Sequence, residues 1–287
     1  MSRQTRATID RPASATAIGV RFGGDVTLSL APAEIGEGIV LERADLGERW
    51  PLDLDHSQPG PGCTVSGPGG DTMAGEGEAA VHFVEHLMAA LWARGVTDCH
   101  VAVDGRETPL FDGSVRPILA LIDEAGIARA SQPIAPLECT EPLLSSDGER
   151  AVCALPGGPT SYAYALRYHH RQIGREFASF KPDADDFDTD LAPARTFITI
   201  EEAEEAREAG LLAAGSEENC VVVYEDHVSA EPPVPQPYAR HKLIDMIGDL
   251  YLLGRPLIGR FFGFYSGHAH NHGIAREIRQ WCENGSH

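Results

Sequence analysis

With 287 residues, 43% of them hydrophobic and 23% charged, the chain is long enough for one large core or for two of roughly 130–150 residues each. Its formal net charge of −20 argues against a phosphate-tracking surface, which needs clustered Lys and Arg. Nucleic acid is therefore not an expected partner, although a local basic pocket for a phosphorylated small molecule remains compatible with the charge. No basic stretch followed by an apolar core opens the chain, and no apolar run approaches the roughly 20 residues of a membrane span. The run from Leu250 to Phe264 is broken by Gly254, Arg255, Pro256, Gly259, Arg260 and Gly263. A cytoplasmic location without stable membrane insertion is expected. The six cysteines are scattered without a CxxC pair, so neither a zinc knuckle nor a disulfide scaffold is suggested. Cys99, Cys153 and Cys220 read as small buried hydrophobes.

In chain order, strands are expected at Ala17 to Phe22, Asp25 to Leu30 and Ile39 to Arg43, with Gly23-Gly24 making a tight connection. Residues 56–78 are rich in Gly and Pro and read as loop or short irregular strands. A helix runs from about Val81 through Trp92 and stops at Gly95. Strand Cys99 to Val103 follows, and then helix Val115 to Glu124, ended by Gly126. Ser131 to Pro136 reads as a linker, with a boundary near residue 130. Beyond it, strands are expected at Ala151 to Ala154, Ala163 to Tyr168 and Glu176 to Phe180. Lys181 to Asp190 reads as a solvated acidic loop. Thr199 and Glu202 make a capping box for a helix ending near Gly210. Cys220 to Tyr224 is a short strand, Tyr238 to Leu253 a long helix, and Ile258 to Tyr265 a strand leading to Ser266-Gly267-His268. Each half is strand-rich with two principal helices. The reading is α+β: two similar α+β units packed together, residues 1–130 and 131–287.

Two segments carry chemistry. His241 and Asp245 are four apart in one helix, so they project from one face and can meet a single ion. His86 from the first half supplies a third ligand of a kind zinc accepts, and an open fourth position suits water activation rather than structure. His₂Asp ligation also accepts ferrous iron. Glu85, beside His86, is a candidate general base. The glycine before His268 lets that histidine approach a reaction centre, as a general acid with Asp249 as its orienting carboxylate. His268, His270 and His272 can also be read as a second metal patch or as a polar loop. The bland readings are real: HxxxD pairs are common on helices, and a half-buried histidine often only satisfies a carbonyl.

The chain resembles the zinc-dependent UDP-3-O-acyl-N-acetylglucosamine deacetylase family of lipid A biosynthesis. The residues that carry the resemblance are Val84-Glu85-His86-Leu87-Met88-Ala89-Ala90-Leu91, Pro109-Leu110-Phe111-Asp112-Gly113-Ser114 and Ala194-Arg195-Thr196-Phe197, followed by Gly215-Ser216 with Asn219, Arg240 to Asp249, and Ser266-Gly267-His268. The resemblance implies two similar layered α/β-sandwich domains of the α+β class, with the active site between them. It also implies zinc on His86, His241 and Asp245, Glu85 as base, and Lys242 and Thr196 facing the oxyanion. His268, with Asp249 beside it, would protonate the leaving amine or help with transition-state charge. The implied substrate is a small-molecule UDP-acyl-amino-sugar; the resemblance names no protein partner. An insert between Phe197 and Val223 would form an acyl passage, with Leu211, Leu212 and Val221 as lining.

Three departures concern recognition rather than chemistry. Gly19-Val20-Arg21-Phe22-Gly23-Gly24 stands for the family's Gly-Leu-His-Ser-Gly, and Tyr265 for a lysine that resembles a diphosphate contact. Ala214-Gly215-Ser216-Glu217-Glu218-Asn219 stands for Gly-Gly-Ser-Leu-Asp-Asn. Arg255, Arg260 or His270 are candidates to replace the missing cation. The alternatives are a related zinc amidohydrolase acting on a different N-acyl amine, or a non-enzymatic metal-binding protein.

Overall fold

The computed structural model describes residues 5–68 and 77–284. Residues 69–76 of the expected Gly- and Pro-rich loop lie outside them. The rest of that loop carries the short paired strands Ser57–Gly60 and Cys63–Ser66.

Two five-stranded sheets repeat one topology. The first has the order Ala13–Ile18, Asp25–Ala31, Cys99–Val103, Ile39–Arg43, Glu48–Pro51. Two hairpins flank the strand that comes last in sequence, which runs antiparallel to Asp25–Ala31 and parallel to Ile39–Arg43. The second sheet has the order Leu143–Ser146, Ala151–Leu155, Arg260–Phe264, Ser161–Arg167, Arg175–Phe180. Its last strand is again central, antiparallel to Ala151–Leu155 and parallel to Ser161–Arg167. Alternation drives this: Val26, Leu28 and Leu30 point inward on one strand, and Tyr162, Tyr164 and Leu166 on another.

Among the described residues six helices accompany the sheets: α1 Val84–Arg94, α2 Arg116–Ala125, α3 Phe187–Asp190, α4 Ile200–Glu208, α5 Pro237–Tyr251 and α6 His268–Asn284. Helices α1 and α2 bracket the central strand of the first sheet, as α5 and α6 bracket that of the second. Helix α2 packs on the first sheet, α5 and α6 on the second, and α1 against α5. The expected α+β pair of layered units is the architecture found. One apolar core, from Ile9 to Ile278, runs through both.

The crossing of α1 and α5 is unusually close. Every residue from Val84 to Leu91 is buried, so α1 has no solvent face before its last turn. At Gly248 of α5, a Cβ would sit 2.0 Å from the Glu85 carbonyl oxygen and 3.2 Å from the Ala89 nitrogen. Glycine there is a steric requirement.

Several boundaries differ from expectation for identifiable reasons. Val20 to Phe22 are not strand, because their amides donate to the buried Glu107 carboxylate instead of to a neighbouring strand. Ser131–Pro133 belong to strand Ile127–Pro133, which pairs with Thr5–Ile9, so the linker reading fails for those residues. The acidic stretch folds at its end into α3. Asp186 caps that helix, and Phe187 is buried with its ring 5.9 Å from those of Trp92 and Phe180. Helix α6 was not expected. Its polar first turn hides a buried stripe of Ile274, Ala275 and Ile278, and Gly273 fits it against Ser145. Caps fall as read: Gly95 and Gly126 end α1 and α2, and Thr199 with Glu202 forms a reciprocal capping box on α4. Among the described residues no helix is long and apolar enough to cross a membrane.

Gly248→Ala therefore forces the two helices apart. We expect a loss of stability at or above the upper end of the roughly 1–3 kcal/mol usual for overpacking, with zinc affinity weakened in parallel. Denaturant unfolding and zinc titration of the same variant check this.

Candidate active site

The α1–α5 crossing brings the three expected ligands together. Helix α1 starts abruptly after Phe83, whose φ of 64° lies in the left-handed region, so Glu85 and His86 fall in its first turn. His241 and Asp245 lie one turn apart on α5. All three ligands are buried, and one donor atom from each lies within 4.8 Å of the others. The Nε2 atoms of His86 and His241 are 3.5 Å and 3.4 Å from Asp245 Oδ1. Zinc bonds of about 2.0–2.1 Å in a tetrahedron put ligand atoms about 3.3–3.4 Å apart, so both edges already match the ion. Two imidazole nitrogens and one carboxylate oxygen form a zinc donor set with a position left open.

The surroundings orient these donors. His241 Nδ1 lies 3.3 Å from the Ala194 carbonyl, which can only accept, so Nδ1 carries the proton and the Nε2 lone pair faces the centre. Burial lowers His241 to about 3, keeping it neutral and ligating. Lys242 Nζ lies 2.7 Å from Asp245 Oδ2, the oxygen turned away from both histidines. Burial opposes both charges, yet each partner stabilises the other: the carboxyl is held well below its usual range and the ammonium above its own.

Beside this centre, Glu85 Oε2 accepts the Thr64 amide at 2.8 Å, and burial raises the Glu85 carboxyl above its ordinary value. Asp249 lies one turn beyond Asp245 and is fully buried. Its Oδ2 accepts from His268 Nδ1 and from Asn271 Nδ2, each at 2.8 Å, and its Oδ1 accepts from the Thr64 hydroxyl. Burial works against a charged His268, but Asp249 outweighs it and raises the imidazole to about 9. His268 opens helix α6 rather than sitting on a loop. His272 lies on the same face four residues later, while His270 turns toward Asp147 at 3.4 Å. The three histidines do not converge, which removes the second-metal-patch reading.

A cavity of about 340 Å³ opens over the centre. Glu85, His86, His241, Lys242, Asp245 and Thr196 line one part of it, with Leu211, Leu212 and Val222 on an apolar wall. Val222 replaces the expected Val221, because adjacent strand residues face opposite ways. Thr196 is set by the Pro109–Ser114 motif: its amide donates to the Gly113 carbonyl at 2.8 Å, and Gly113 has no room for a Cβ beside Asn219. Tyr265, Arg255, Arg260 and His270 are absent from the lining, whereas Arg21 and Arg207 belong to it. Thr64 and Asn271 were missed, and His272 was read only as part of a metal patch or polar loop. Thr64 has no sequence signal, but the histidine–asparagine spacing becomes a signal once α6 is recognised as a helix.

A metal centre left open to a cavity, instead of being closed by a fourth side chain, is the arrangement of a metal-dependent hydrolase, and comparison with known proteins narrows this to a zinc-dependent deacetylase. The family model for UDP-3-O-acyl N-acetylglycosamine deacetylase matches residues 6–280. The chain belongs to that family. It is 33% identical to the UDP-3-O-acyl-N-acetylglucosamine deacetylase of Geobacter sp. (strain M21), over 94% of this chain and 88% of the relative. With the enzyme of the same description from Chlamydia felis it shares 33% identity over 97% and 98%. With that from Anaeromyxobacter dehalogenans it shares 34% over 97% and 88%.

The His268–Asp249 pair makes a pH prediction for the metal-free protein. The folded value, about 9, lies above the unfolded 6.5. The stabilisation is thus fully present below about 6.5 and is lost as pH rises through about 9. An imidazole NMR titration should find His268 still protonated at neutral pH, and Asp249→Asn should bring its midpoint down to the ordinary value or lower.

Proposed function

We propose that the chain hydrolyses the acetamide of UDP-3-O-acyl-N-acetylglucosamine, releasing acetate and UDP-3-O-acyl-glucosamine. The observation that carries this reading is the His86–His241–Asp245 centre opening into the same cavity as Glu85, Lys242, Thr196 and an apolar wall. When bound there, zinc supplies Lewis acidity for the carbonyl and for water; ferrous iron fits the same donors.

The side chains divide the remaining work. Glu85, with its raised basicity, takes a proton from the attacking water as the new C–O bond forms. Lys242 and Thr196 face the negative charge that develops on the carbonyl oxygen. With its Nδ1 proton engaged by Asp249, His268 gives its Nε2 proton to the nitrogen as the C–N bond breaks. A base–acid pair must hold opposite protonation states beforehand, and the Asp249 carboxylate against His268 supports the proton on the acid. Leu211, Leu212, Ala203, Ala206 and Val222 receive the acyl chain. Arg21 and Arg207 supply positive charge for the diphosphate, where Tyr265 offers none.

The enzyme works in the cytoplasm on a small-molecule substrate, a reading supported by the lack, among the described residues, of a helix long and apolar enough to cross a membrane. The chain divides near residue 130, into 1–130 carrying Glu85 and His86 and 131–287 carrying the other site residues. The return of Ile127–Pro133 to pair with Thr5–Ile9 supports a division just beyond that strand, a few residues past 130.

Acetate release from UDP-3-O-acyl-N-acetylglucosamine by the zinc-loaded chain tests the reading. Wild type should turn over, and Glu85→Gln should lose about 10²–10⁴-fold in kcat while still binding one zinc. A wild-type chain that holds one zinc and releases no acetate would contradict the substrate and favour a different N-acyl amine.

A further inference from the structure

Thr64 lies on strand Cys63–Ser66, is fully buried, and touches both ends of the proton path. Its amide holds Glu85 Oε2 at 2.8 Å. Its hydroxyl meets three groups: Asp249 Oδ1 as donor, His272 Nε2 at 3.1 Å and His268 Nδ1 at 3.3 Å. A hydroxyl carries one proton. Asp249 is an ionised acceptor, so that proton goes to its Oδ1, and the hydroxyl lone pairs are left to accept.

The tautomer of His272 follows from this. Its Nε2 must carry a proton to donate to Thr64, because the hydroxyl proton is already committed. Its Nδ1 is sealed, with no partner among the described residues, so the ring is neutral and Nδ1 bears the lone pair. Burial, which lowers His272 to about 4, agrees with a neutral ring. His272 Nε2 is 3.8 Å from Asp249 Oδ1, too far for a direct hydrogen bond, so its influence on Asp249 passes through Thr64. The order is His272 Nε2–H to Thr64 Oγ1, Thr64 O–H to Asp249 Oδ1, and His268 Nδ1–H to Asp249 Oδ2.

We infer that Thr64 and His272 are positioning residues of the deacetylation. Thr64 fixes the base through its amide and the acid's carboxylate through its hydroxyl, and His272 fixes the rotor of that hydroxyl. The inference rests on the deacetylase reading for its kinetic consequence, though not for its tautomer. Neither side chain lines the cavity or offers the centre a donor atom. Their loss therefore touches kcat rather than substrate binding or zinc content.

The test uses the full chain loaded with zinc. Thr64→Val keeps the shape and the amide and removes only the hydroxyl. It should lower kcat about ten- to a hundredfold, the range for losing a hydrogen bond to a charged group, with KM within about twofold and zinc stoichiometry unchanged. Thr64→Ser should restore most of the rate. His272→Leu should lower kcat about tenfold, and His272→Gln, which keeps an N–H donor, should lose less. The double variant Thr64→Val/His272→Leu should be no slower than Thr64→Val alone, because His272 acts only through Thr64.

A wild-type kcat in Thr64→Val, no rescue by serine, or multiplicative losses in the double variant would each overturn the inference. A second readout does not need activity. The imidazole ¹⁵N spectrum of metal-free protein should show His272 as the neutral Nε2–H tautomer, and an Nδ1–H or charged ring would overturn the inference. A wild-type chain without acetate release would refute the deacetylase reading instead, leaving the tautomer result to decide the hydrogen-bond order.

Discussion

The contact between Gly248 and the Glu85 carbonyl sets the distance on which the site depends. Zinc ligands must meet within a few tenths of an ångström, yet here they come from two helices in two different layers of the molecule. Backbone-to-backbone packing, with only a hydrogen on Gly248, lets His86 reach the face that carries His241 and Asp245. Because α1 is buried all round from Val84 to Leu91, the part that crosses α5 has no softer side toward which to relax. The crossing thus couples core packing directly to metal geometry.

The repeated topology explains why the site lies where it does. In each unit a helix leads into the central strand, and these two equivalent helices, α1 and α5, pack together at the interface. A ligand pair on one and a single ligand on the other make a shared centre that neither unit holds alone. Burial there is costly for charge, and the network answers it atom by atom. Lys242 takes the Asp245 oxygen that the metal centre does not use, and Asp249 is satisfied by Thr64, His268 and Asn271. The two carboxylates near the metal are thereby held ionised, while Glu85, with fewer donors, is left more basic.

Much of this was legible in the chain because it is local. An i, i+4 spacing put His241 and Asp245 on one face, glycines ended α1 and α2, and Thr199 with Glu202 announced α4. The apolar run through Trp92 announced a helix there, though not that its first eight residues are buried. What escaped depends on distant partners. Val20–Phe22 look like strand until Glu107, far along the chain, takes their amides. Thr64 sits in a Gly- and Pro-rich stretch whose place beside Asp249 is purely tertiary. Helix α6 was hidden by a first turn whose polar residues face inward, where a surface pattern would turn them out. The misread parity of Val221 and Val222 is the smallest slip of this kind: one residue reverses a strand's face.

The most direct measurement is the zinc-edge X-ray absorption spectrum of the loaded protein. One zinc per chain is expected, with a first shell of nitrogen and oxygen at about 2.0–2.1 Å and outer-shell scattering from two imidazoles. A sulfur neighbour at about 2.3 Å would place the ion on a cysteine such as Cys63, and scattering from only one imidazole would mean that α1 and α5 do not share it. Either result would contradict a metal centre built at the helix crossing.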